Sequence, residues 1–141
     1  MRRLSLLLSL LVAVGCAADV TDPALAPTDA NVVGTFSLTS SNGRLLPIIA
    51  RLTSDEEWDL TSDQFVIGAD NTWTETTTYL ITSFATAGTS TQFSTSSGTY
   101  AISNNTINFV MTVGGMAGFT GSVTGKTLSL LYNGGSFIYS R

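Results

Sequence analysis

The sequence predicts an all-β domain, an up-and-down antiparallel β-barrel of about eight to ten strands, preceded by a signal peptide and a disordered tether. Three observations predict the barrel: apolar residues alternate with Ser and Thr after residue 31, Asn and Gly clusters separate the alternating runs, and no segment carries a helical apolar stripe. The 17 serines and 22 threonines agree with this class, because Thr suits a pleated, half-solvated surface.

Residues 1–15 are predicted to be a signal peptide that is removed on export. Met1, Arg2 and Arg3 give it a positive start, and an apolar run follows over residues 4–14. A helix of that length covers roughly half of a ~30 Å hydrocarbon core, so we do not expect it to remain as a transmembrane segment.

The end of this segment, Ala13-Val14-Gly15-Cys16, resembles the lipobox of bacterial lipoproteins, although Ala13 stands where Leu is usual. The resemblance implies that the Cys16 thiol receives a diacylglyceryl group and anchors the protein to a membrane. Ala17 in place of Asp then implies a bacterial cell-envelope location, as an outer-membrane lipoprotein. The alternative is ordinary secretion after cleavage near Ala17 or Ala18. Cys16 is the only cysteine, which excludes a disulfide within the chain.

Residues 16–31 are predicted to be the lipidated Cys and a flexible linker, and residues 32–141 the barrel domain. The linker holds two of the three prolines and has neither a strand nor a helix period. Beyond residue 15 the chain has four Lys and Arg residues against ten Asp and Glu residues. Nucleic acid is therefore excluded as an expected partner, because its binding requires clustered basic side chains.

Each predicted strand is marked by apolar residues of equal parity. In chain order these are Phe36 and Leu38; Trp73, Tyr79 and Ile81; Tyr100 and Ile102; Ile107, Phe109, Met111 and Val113; Phe119 and Val123; Leu128 and Leu130; Phe137 and Tyr139. One face of segment 72–78 carries only Thr, so we expect this polar face to lie outside and the apolar face to lie inside the barrel. A membrane barrel has the opposite arrangement, with an apolar outer face.

Turn signals separate these strands, and their Asn and Gly residues supply the positive φ that tight hairpins require. They are Ser41-Asn42-Gly43, Asp70-Asn71, Asn104-Asn105, Gly114-Gly115, Gly125-Lys126 and Asn133-Gly134-Gly135. A meander of so many strands usually closes, because closure removes unpaired edges. Segment 121–127 looks like a phosphate-binding loop, but it lies between two strand patterns and is predicted to be a hairpin.

Several short motifs after residue 31 belong together: Val33-Gly34-Thr35-Phe36, Asn42-Gly43 with Leu46-Pro47, Ala69-Asp70-Asn71-Thr72-Trp73, Gly98-Thr99-Tyr100 with Asn104-Asn105-Thr106-Ile107, and Tyr139-Ser140-Arg141. Together they resemble the bacterial lipocalin-like domains of the calycin superfamily. Lipocalins stack a basic residue of the last strand across a Trp of the first, and here Phe36 and Arg141 stand in those places. The resemblance implies a barrel whose interior can hold a small hydrophobic ligand.

The candidate ligand-binding residues are five aromatic side chains of interior parity and one carboxylate: Phe36, Trp73, Glu75, Tyr79, Tyr100 and Phe109. Glu75 is predicted either to meet a polar ligand head or to lie in water at the barrel mouth, and its place soon after a hairpin turn favours the mouth. Small barrels can hold a ligand or be filled by their own side chains. A ligand-free structural or protein-interaction domain of the envelope is therefore the alternative function.

No enzyme activity, metal or cofactor is expected. The chain has no His, the common general base and metal ligand, and its only thiol is assigned to lipid. Five acidic residues cluster after residue 54 without the spacing of an EF-hand, so a solvated acidic loop is expected in place of a calcium site. They are Asp55, Glu56, Glu57, Asp59 and Asp63.

Overall fold

The computed structural model describes residues 29–114 and 118–141, and within them it is almost entirely β-structure. The predicted signal peptide, Cys16 and most of the predicted linker lie outside the described residues. The elements are α1 Asp29–Val32, β1 Gly34–Ser41, β2 Arg44–Leu45, β3 Ile48–Leu52, β4 Glu56–Ile67, β5 Thr72–Ser83, β6 Thr89–Ser103, β7 Thr106–Val113, β8 Phe119–Thr124, β9 Thr127–Tyr132 and β10 Gly135–Ser140.

The strands form a closed up-and-down antiparallel barrel, as the sequence predicts. From β4 to β10 each strand pairs with the next, and β1 pairs with both β10 and β4, which closes a barrel of eight strands. Where β1 and β4 diverge, the short strand β2 pairs with β1 and β3 pairs with β4. These two strands are additional to the eight of the barrel. An eight-strand barrel of this connectivity is compatible with a lipocalin-like fold.

The predicted turns supply the positive φ values that their hairpins need. Asn42 and Gly43 follow β1 with φ of 50° and 74°, and Asn133 and Gly134 follow β9 with 47° and 77°. Asn71 before β5 has φ of 61°. The hairpin between β8 and β9 turns at Gly125, so segment 121–127 is a hairpin as predicted. Gly115 lies outside the described residues.

A packed aromatic cluster fills the half of the barrel interior that lies toward the β4–β5 and β6–β7 turns. Phe65 and Trp73 stack with ring centroids 5.0 Å apart, and both are buried. Phe109 meets Phe65 edge-on at 5.3 Å. The alternating strands place these rings on one face, so burial of their apolar area stabilises the closed barrel.

The C-terminal residue closes this end of the barrel. The Arg141 guanidinium lies 5.1 Å from the centre of the Phe36 ring, which confirms the contact expected from the resemblance. Its Nη1 donates a hydrogen bond of 2.8 Å to the carbonyl oxygen of Val33, and its Nη2 one of 3.0 Å to that of Asn31. Helix α1 begins at Asp29, three residues inside the predicted linker, and its last residue, Val32, is buried at this end.

Two β-bulges change which side chains face inward. One lies in β4 between Leu60 and Ser62. The other lies in β7, where Val113 and Met111 pair with the adjacent β6 residues Ser97 and Gly98 and leave one β7 residue between them unpaired. The second bulge places Val113 opposite Ser97 on the outer face, with 58 % of its surface exposed. The predicted inward position of Val113 is wrong for this reason, since one inserted residue exchanges the faces of a strand.

The predicted acidic loop is wrong for four of its five residues, because only Asp55 lies in the connection between β3 and β4. Glu56 to Asp63 belong to β4, which pairs with β5 along its whole length. Strand pairing satisfies the backbone, and the acidic side chains that face outward remain in contact with water. Asp63 alone of these five is buried. No helix within the described ranges is long and apolar enough to cross a membrane.

Candidate functional site

The barrel interior contains a cavity of about 260 Å³ at the end away from the aromatic cluster. It lies toward the β5–β6, β7–β8 and β9–β10 connections and is open on one side. Four kinds of side chain line it: two carboxyls, tyrosines, small hydroxyls and apolar groups. They come from Leu60, Asp63, Glu75, Thr77, Tyr79, Ser94, Ser96, Met111, Gly114, Phe119, Leu130, Tyr132, Phe137 and Tyr139.

Asp63 faces this cavity because of the bulge in β4. Leu60 faces inward before the bulge, and after it the odd-numbered residues Asp63, Phe65 and Ile67 face inward. The side chain of Asp63 is only 7 % exposed. Its Oδ2 accepts a hydrogen bond of 3.3 Å from the Thr77 hydroxyl, directly opposite on β5, whereas its Oδ1 is buried and has no hydrogen-bond partner.

Glu75 lies beside Asp63 on the same wall of the cavity. It is two residues before Thr77 on β5, which makes it the diagonal neighbour of Asp63. Its Oε1 accepts a hydrogen bond of 3.3 Å from the hydroxyl of Tyr139 on β10. Glu75 is partly buried, so the structure places it inside the barrel and not in water at the mouth.

Burial disfavours the ionisation of both carboxyl groups, and the charge of Glu75 further disfavours that of Asp63. Burial, followed by the charge of Glu75, raises the pKa of Asp63 to about 8. Burial also raises the pKa of Glu75, although hydrogen bonds from Tyr139 and Asp63 oppose that effect. Near neutral pH Asp63 therefore keeps its proton. Burial, Asp63 and Glu75 in turn raise the pKa of Tyr139 and of Tyr79.

The opposite walls of the cavity are apolar and aromatic. Phe119 and Tyr132 meet edge-on with their ring centroids 5.8 Å apart. Tyr79 contacts Trp58 of β4 at 5.9 Å, and Arg51 of β3 covers that Trp at 5.6 Å. A ligand in the cavity would therefore meet a carboxyl pair on one side, the Ser94 and Ser96 hydroxyls of β6 beside it, and rings or aliphatic chains elsewhere.

The six candidate residues from the sequence divide between the two halves of the barrel. Glu75 and Tyr79 line the cavity. The other four belong to the packed half, and none is among the residues that line the cavity: Phe36, Trp73, Tyr100 and Phe109. Parity predicts correctly that all four face inward, but it does not tell whether the interior at that level is filled.

Sequence reasoning missed Asp63 and Tyr139 as site residues. Asp63 has the parity of Phe65 and Ile67, which is a usable signal, but its neighbours in the sequence suggest an acidic loop. Tyr139 is predicted to face inward, and only the closed barrel brings β10 across from β5. No group of three or more His, Cys, Asp or Glu residues in the described part of the chain is placed to hold a metal ion.

Comparison of the chain with protein-family models, with curated proteins and with solved structures found no match.

Proposed function

We propose that this protein is a lipid-anchored cell-envelope lipoprotein whose lipocalin-like barrel binds a small, largely hydrophobic ligand. The cavity of about 260 Å³ carries the proposal. An apolar cavity of roughly 150 Å³ is large enough for benzene, so this one has room for a ring with a substituent. Binding sites of this kind are mostly apolar with a few polar groups that fix orientation, and this lining has that composition.

The calycin kinship is part of the proposal and has two supports. One is the set of motifs in residues 32–141, and the other is the contact between Phe36 and Arg141 across the first and last strands. The proposed anchor rests on the lipobox-like end of the export signal. Two or three acyl chains on Cys16 would hold the protein at the membrane, because each buried CH₂ contributes about 0.8 kcal/mol.

Filling the cavity is expected to abolish ligand retention. Ser96 lines the cavity from β6, and a Ser96→Phe change would place a ring in the ligand's space. Native mass spectrometry of protein purified from cells should show a bound small molecule on the wild type and none on this variant. Thr95→Phe is the matched control, because Thr95 is the exposed neighbour on the same strand. A ligand-free wild type would instead favour a structural or protein-interaction domain of the envelope.

Loss of the thiol is expected to release the protein from the membrane. A Cys16→Ser variant cannot receive the diacylglyceryl group, and the proposal assigns no other membrane attachment. Cell fractionation should move the variant from the membrane pellet to the soluble envelope fraction, while an Ala18→Ser control stays in the pellet. Unchanged membrane association of Cys16→Ser would contradict the lipid anchor.

A further inference from the structure

The carboxyl pair on the cavity wall has fewer hydrogen-bond donors than its oxygens can accept. Thr77 and Tyr139 each supply one long bond, and Oδ1 of Asp63 receives none although it is buried. A buried polar oxygen without a hydrogen-bond donor is energetically unfavourable. No Lys or Arg of the described residues lines the cavity, so within this part of the chain nothing compensates a second negative charge.

A ligand can supply both the missing donors and the missing positive charge. A primary ammonium group carries three N–H donors and one charge, which matches two adjacent carboxyls. The tyrosine and phenylalanine rings around the cavity also attract a cation through their π faces. A calcium ion fits less well, because it prefers six to eight carboxylate, carbonyl or water oxygens, and beyond two carboxyls the lining side chains offer only hydroxyl oxygens.

We propose that the cavity is specific for small amphipathic amines: the ammonium group binds between Asp63 and Glu75, and the apolar part lies against Leu60, Met111, Phe119 and Leu130. This assignment rests on the proposed ligand-binding function and narrows it to one chemical class. The volume sets the size at about that of an aromatic ring with a two-carbon amine chain.

Binding of the amine displaces the proton of Asp63. The raised pKa of Asp63 keeps this proton on its carboxyl in the empty cavity, and with the ammonium bound Asp63 is ionised, so one proton passes to the solvent. The titratable groups that face the pair are Tyr79 on β5, Tyr132 on β9 and Tyr139 on β10. Burial and the two carboxyls raise the pKa of Tyr79 and of Tyr139, so the released proton comes from Asp63, and affinity increases as the pH rises toward 8.

Isothermal titration calorimetry with three probes of one shape tests the charge requirement: 2-phenylethylamine, neutral 2-phenylethanol and anionic 3-phenylpropanoate. At pH 8 the wild type should bind the amine at least tenfold more tightly than the alcohol, and it should reject the anion. Asp63→Asn and Glu75→Gln should each weaken amine binding at least tenfold and leave the alcohol unaffected. Asp59→Asn, on the outer face of β4, is the control and should bind the amine like the wild type.

Titrations at pH 6.5 in two buffers of different ionisation enthalpy should show release of about one proton per amine bound. Equal affinity for the alcohol and the amine would overturn the amine specificity and leave the cavity as a site for neutral ligands. Failure of the amine to bind would overturn it too, and the Ser96→Phe experiment then decides separately whether the cavity holds any ligand.

Discussion

A Phe65→Ala variant is expected to lose about 4 kcal/mol of its free energy of unfolding. Phe65 is completely buried, and its ring is central to the aromatic cluster. It stacks on Trp73 at 5.0 Å and meets Phe109 at 5.3 Å, Tyr139 at 5.9 Å and Phe119 at 6.2 Å. Because these rings are held by four other strands, they cannot collapse into the space that the removed ring leaves.

Urea unfolding followed by tryptophan fluorescence measures this loss, since Trp73 is in direct contact with the substituted ring. Small domains are stable by only about 5–15 kcal/mol, so the variant would lie close to its unfolding threshold. Phe65→Leu, which keeps most of the volume, should cost less than about 1.5 kcal/mol. Gln64→Ala, at the exposed neighbouring position, should change stability by less than about 0.5 kcal/mol. A loss below 1 kcal/mol for Phe65→Ala would mean that the cluster is loosely packed.

The barrel could be predicted from the sequence because its strands and turns depend on local rules. Asn133 and Gly134 adopt the positive φ that a tight hairpin requires, and these residue types adopt it at little cost. Leu128 and Leu130 alternate with Ser129 on β9, so one face of that strand becomes dry wherever the strand pairs. Each such signal lies within a few residues and needs no knowledge of distant segments.

The bulges could not be predicted, because they are properties of two paired strands. Whether Val113 faces inward depends on an extra residue in its pairing with β6, which the alternation within β7 does not reveal. Asp63 shares the parity of Phe65 and Ile67, but the bulge after Leu60 breaks the alternation along β4, so no single parity describes the whole strand. The acidic residues before it suggest a loop, but only Asp55 lies in one, because pairing with the long strand β5 keeps Glu56, Glu57 and Asp59 in the sheet.

Only two of the six predicted ligand-binding residues line the cavity, because the sequence does not show which part of the interior is filled. Glu75 and Tyr79 were identified because parity places them inside, and both line the cavity. Parity gives the direction of a side chain but not the free volume in front of it. Trp73 has the same parity as Glu75 and is packed against other rings, whereas Glu75 two residues later borders open space. Only the complete set of interior side chains determines which part of the barrel is packed and which part contains the cavity.

The stability of the protein is expected to fall as the pH rises from about 4 to about 8. An Asp carboxyl in water has a pKa of 3.8, whereas that of Asp63 is about 8 in the folded barrel, where burial and the charge of Glu75 oppose ionisation. Between these values the folded protein holds a proton that the unfolded chain has released, so raising the pH favours unfolding. Below this window both states are protonated and above it neither is, so the loss is complete near pH 8. Glu75, whose pKa is also raised, adds an effect of the same sign.

An Asp63→Asn variant is expected to lose most of this pH dependence and to be more stable than the wild type at pH 9 by a few kcal/mol, with roughly 6 as the upper limit. The amide resembles the protonated acid, because its oxygen can accept from Thr77 while its NH₂ group donates to Glu75. Urea unfolding at pH 5, 7 and 9 measures the difference, and Asp59→Asn on the outer face of β4 should keep the wild-type slope. Parallel slopes for the wild type and Asp63→Asn would show that the ionised carboxylate is as well solvated in the cavity as in the unfolded chain. Asp63 would then hold no proton for an amine to displace.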